Sequence, residues 1–68
     1  MRTISIQIHH IDGPRGLTFI AAASPARACE LYEDGHSNAC EVVVDGRSEV
    51  IPIPPDALRH GVVRVAVA

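Results

Sequence analysis

The sequence predicts a single small α+β domain. Its expected form is a largely antiparallel sheet of about five short strands with one main helix on one face, in the order β-β-α-β-β-β. Three observations lead there. Several short runs alternate apolar β-branched residues with polar ones, the period of a half-buried strand. One run alone, near 25–34, spaces its apolar residues as a helix does. Turn residues separate the runs, and no linker, repeat or low-complexity tract divides residues 1–68.

Ile4, Ile6 and Ile8 alternate with Thr3, Ser5, Gln7 and His9, which predicts a strand over 2–11. Asp12-Gly13-Pro14-Arg15-Gly16 is dense in turn formers. Leu17, Phe19 and Ala21 share a face of a second strand near 17–22, closing a first hairpin. Ser24-Pro25 is a helix start, because Ser caps and Pro suits the first helical position. Ala28, Leu31 and Tyr32 form one stripe toward a sheet, and Gly35 supplies a left-handed stop. Arg27 in the first turn and Glu33 and Asp34 in the last oppose the helix dipole, a placement that hints at another use.

Cys40-Glu41-Val42-Val43-Val44 reads as a strand, and Asp45-Gly46 as a type I′ hairpin turn. The returning strand runs from Arg47 to about Ile53. Pro52 has no N–H for a ladder, so that end belongs on an edge or leaves the sheet. Residues 54–61 read as one helical turn stopped by Gly61, and Val63, Val65 and Val67 as a last strand.

A chain of 68 residues supports one thin core. Area scaling predicts a folded surface of about 4,200 Å². All six basic residues are arginine, eight residues are acidic, and the net charge is −2. That balance argues against direct nucleic-acid binding, as does the lack of aromatics beyond Phe19 and Tyr32 to stack bases. No apolar run approaches the roughly 18 residues of a membrane span, and the alternating start is unlike a secretory leader, so the chain is expected in the cytoplasm. There Cys29 and Cys40 are expected as reduced, largely buried thiols.

The sequence carries no catalytic signature and predicts no enzyme and no cofactor. His9, His10, Cys29, His36, Cys40 and His60 lack the paired spacing of a metal site, and adjacent His9 and His10 on a strand point to opposite faces. No metal is expected. Cys29 or Cys40 with His36 is the nearest approach to a thiol–imidazole pair, and a core this small has little room for a substrate pocket. Glu30, Glu33 and Asp34 lie off the apolar stripe, with Glu41 following at the head of the next strand. Such an acidic patch steers a domain onto a basic surface.

The hairpin, then the Ala-rich stretch Ala21-Ala22-Ala23-Ser24-Pro25-Ala26-Arg27-Ala28-Cys29, then three closing strands, resembles small phage-encoded anti-CRISPR proteins in size and element order. That resemblance implies a domain that docks onto a CRISPR effector complex. No diagnostic motif accompanies it, and no residue role carries over. The expected function is therefore a non-enzymatic protein-binding module for a larger protein or nucleoprotein complex, with Glu30, Glu33, Asp34, Asp12 and Arg15 as candidate contacts. The alternatives are a self-associating homodimeric domain, suggested by Val63, Val65, Val67, Ile51 and Ile53, and a minor nucleic-acid binder.

Overall fold

The computed structural model describes residues 1–68. Five strands and one α-helix follow in the expected order: β1 (Arg2–Gly13), β2 (Gly16–Ala21), α1 (Pro25–Glu33), β3 (Ala39–Val44), β4 (Arg47–Pro52) and β5 (Val62–Val67). A single 3-10 turn, Pro55–Arg59, joins β4 to β5. No helix is long and apolar enough to cross a membrane.

The strands form one sheet in the order β4-β3-β2-β1-β5. Three of its pairings are antiparallel, and β2–β3 is parallel over a short register, Ile20 opposite Ala39 and Ala21 opposite Cys40. The parallel pair follows from connectivity, because α1 carries the chain back between β2 and β3. The long β1 serves two neighbours, β5 over Arg2–Gln7 and β2 over Ile8–Gly13. Pro52 does end an edge strand. Its neighbour Ile53 donates to Asn38 across the ladder, so Pro52 itself points outward, where no donor is needed.

Local signals act as expected at the ends of elements. Ser24 accepts a hydrogen bond from the Arg27 N–H at 3.1 Å, capping α1. The helix closes in a Schellman motif: Gly35, at φ 101°, donates to Tyr32 and His36 donates to Leu31. Asp45 and Gly46 both take positive φ, 51° and 76°, as a type I′ turn requires.

Both faces of the sheet carry a core. On the helix side, Ile20 and Ala22 pack with Ala28 and Leu31, flanked by Ile11, Tyr32 and Val50. On the other side lie Ile6, Ile8, Ala21, Cys40 and Val63, with Ala57 of the 3-10 turn as a lid. Ile4, Ile6 and Ile8 of β1 thus face away from the helix, and the sheet curls so that β3 approaches β5. Cys29 departs from expectation: it is exposed, while Cys40 is buried. It follows Ala28 directly, which turns it off the apolar stripe.

Candidate functional site

The first hairpin and the end of α1 are clamped together by Arg15 and Tyr32. The Arg15 guanidinium lies 4.1 Å from the centre of the Tyr32 ring. Its Nη2 donates to the Tyr32 carbonyl, and the Arg15 backbone N–H donates to the Tyr32 hydroxyl at 2.9 Å. Gly13 makes this approach feasible: a Cβ there would sit 2.6 Å from the hydroxyl oxygen and 2.8 Å from ring carbons. The helix has no basic residue in its last turn, so Arg15 brings the cation that its C-terminal dipole lacks from another element.

A second cluster anchors the start of α1. Glu41 on β3 is buried, its side chain 4% exposed, yet it is fully bonded. Arg27 Nε donates to both carboxylate oxygens at 3.0 and 3.1 Å, Arg27 Nη2 to Oε2 at 2.6 Å, and Ser48 Oγ to Oε2 at 2.7 Å. The hydrogen bonds from Arg27 hold the Glu41 carboxyl below the ordinary carboxylate range against the opposing effect of burial, with help from Ser48 and the nearby His36. The Arg27 placement that opposed the dipole is thereby explained, since its charge is spent on a buried partner. Arg27 Nη1 also holds Glu30 at 3.1 Å.

The five candidate contacts are therefore not equivalent. Glu33 and Asp34 are exposed, adjacent and in no ion pair. Glu30 is exposed but shares Arg27. Arg15 is spent on Tyr32. Asp12 lies at the same end of the molecule, but strand alternation turns it to the face away from α1, opposite Leu17. Tyr32, expected only as a core residue, is half-buried and organises this end. A helical aromatic near the stop, with a Gly-flanked tip elsewhere, was its one trace in the sequence.

Other chemistry-bearing side chains stay apart. His9 Nε2 lies 3.3 Å from the Ala22 carbonyl on the helix side, whereas His10 meets Phe19 edge-on at 4.8 Å on the other. No three His, Cys, Asp or Glu side chains gather as metal ligands. Burial, and then the neighbouring Glu41, push the Cys40 thiol up, which disfavours the thiolate. The cleft of about 340 Å³ between β1 and β3 is lined mainly by Ile4, Ser5, Ile6, Gln7, Ala22 and Glu41, whose carboxylate is already engaged. Comparison with family models, curated proteins and solved structures finds no match to this chain.

Proposed function

We propose that this chain is a non-enzymatic protein-binding module that docks onto a larger assembly through the acidic end of α1. One observation carries the reading: Glu33 and Asp34 are exposed and unpaired on a helix end held by a Schellman motif and by the Arg15–Tyr32 clamp. Charges on a rigid support lose little conformational freedom on binding, and a basic surface is their natural complement. In its most specific form the partner is a bacterial CRISPR effector complex and the protein a phage-encoded inhibitor. Small size and element order support that form.

The test is a pull-down from a bacterial lysate containing CRISPR effector complexes, read by mass spectrometry. The expected result is stoichiometric recovery of one large nucleoprotein complex. The double reversal Glu33→Arg/Asp34→Arg should weaken that binding by more than about tenfold, a loss of roughly 1.4 kcal/mol or more. Its melting temperature should stay nearly unchanged, since both positions are exposed. Recovery of the chain alone would defeat the inhibitor reading. Unaltered binding by the double variant would show that this acidic end is not the contact.

A further inference from the structure

We propose that the outer edge of β5 takes an extended acidic segment of a partner protein as an added strand of the sheet. This surface is separate from the acidic end of α1.

β5 pairs on one side only, with β1. Ile8 donates to Gly61 at 2.9 Å, which sets the alternation of that ladder. Val63, Val65 and Val67 then exchange bonds with β1, while the N–H and C=O groups of Val62, Arg64 and Ala66 face outward. None of these three residues joins a backbone bond outside the regular ladders. Such a row of free donors and acceptors is the template used in β-augmentation.

The two edges of the sheet differ. At β4 the outward row ends in Pro52, which has no N–H, and Asp45 and Glu49 lie on the same hairpin. At β5 the row is complete. The β5 strand, the 3-10 turn before it and the β1 segment paired with it contain Arg2, Arg59 and Arg64 against a single acid, Asp56. Asp56 is itself 3.8 Å from Arg59. An open cleft of about 290 Å³ borders the first half of this edge, lined by Ala57, His60, Val62, Val63 and Arg64 among others. It offers room for one side chain of an incoming strand.

Charge also selects the occupant. Two-fold pairings of β5 with a second copy that keep its outward row bonded centre on Arg64 or on Val65; the first sets two Arg64 side chains directly opposite each other, and the second sets them diagonally across the ladder. Like charges at opposed positions destabilise a ladder. A carboxylate on the incoming strand replaces that repulsion with an ion pair.

The test uses the ¹⁵N-labelled full chain and two synthetic peptides, one alternating Val with Glu and one alternating Val with Lys. With the Val/Glu peptide at up to about 1 mM, amide exchange should slow at Val62, Arg64 and Ala66, and the Val/Lys peptide should bind at least about tenfold more weakly. Ala66→Pro removes an outward N–H without touching a ladder bond, so it should abolish the effect while the protein stays folded. If that variant does not fold, Arg64→Glu serves instead and should reverse the peptide preference. Three results would overturn the proposal: no protection at these amides, equal binding of both peptides, or peptide binding unchanged in the variant. Concentration-dependent protection of the same amides without peptide would overturn it too, by assigning the edge to a second copy.

Discussion

Glu41 is the residue on which the helix-facing side of the molecule depends most. Burying a carboxylate is costly unless it is paired and hydrogen-bonded, and here Arg27 and Ser48 do both. The two partners are unequal, because the Arg27 side chain is 39% exposed and that of Glu41 4%. Arg27→Ala leaves a buried carboxylate with one hydroxyl donor, and should be the costlier of the two losses. Glu41→Gln leaves a guanidinium that water still reaches, and should cost about 1–2 kcal/mol. Urea denaturation of both variants checks that order. The pH dependence follows from the lowered carboxyl. A group depressed by folding contributes fully above its unfolded pKa, about 4.3, and its contribution fades as pH falls through the lower folded value. Melting curves from neutral pH into this acid range should show the wild type losing more stability than Glu41→Gln. Parallel losses would mean that the pair adds nothing.

Among elements, the docking of the first hairpin onto α1 hangs on one missing side chain. A methyl group at position 13 would meet the Tyr32 hydroxyl oxygen at 2.6 Å and its ring carbons at 2.8 Å, so Gly13→Ala must push the ring away and loosen the Arg15 stack. The expected loss is about 1–3 kcal/mol, the range for overpacking. Tyr32 is the only tyrosine and the chain has no tryptophan, so intrinsic fluorescence reports this one ring. A lower melting temperature together with altered tyrosine emission is the expected outcome. Wild-type emission in a destabilised variant would place the strain elsewhere. The same clamp explains how a nine-residue helix, marginal alone, keeps an ordered C-terminal end.

The whole molecule is thin. Its surface is 4588 Å², above the roughly 4,200 Å² expected for its mass, and its extents are 39 × 26 × 16 Å. Splitting the apolar residues between two faces of one sheet leaves each core small. Stability then rests on cooperative closure, and the two cysteines offer a direct gauge of it. Cys29 is exposed, whereas Cys40 is fully buried, with its thiol pushed up by burial. With Cys29→Ser in place, labelling of Cys40 by a thiol reagent should run at least about a hundredfold slower than in the denatured chain, since it waits for opening. Destabilising this protein further with Gly13→Ala should speed that labelling. Rapid labelling of the folded protein would mean that the sheet opens locally around β3.

Local chemistry made most of the elements legible in the residues alone. Alternating isoleucines and valines, Ser24-Pro25, Gly35 and Asp45-Gly46 act through neighbours a few positions away, so strands, helix, cap and turns follow without any knowledge of the fold. Pro52 likewise announced an edge, because a missing N–H is a property of one residue. The strand order and the parallel β2–β3 pair were not legible, since the pairing of distant strands leaves no periodic trace. Neither was the choice of sheet face for each apolar row: Ile4, Ile6 and Ile8 alternate identically whichever side the helix takes. The candidate contacts were legible as charges but not as free charges. Arg27 and Glu41, and Arg15 and Tyr32, are 14 and 17 positions apart, and folding alone brings them together. Those two encounters leave Glu33 and Asp34 as the exposed, unpaired acids of the helix end.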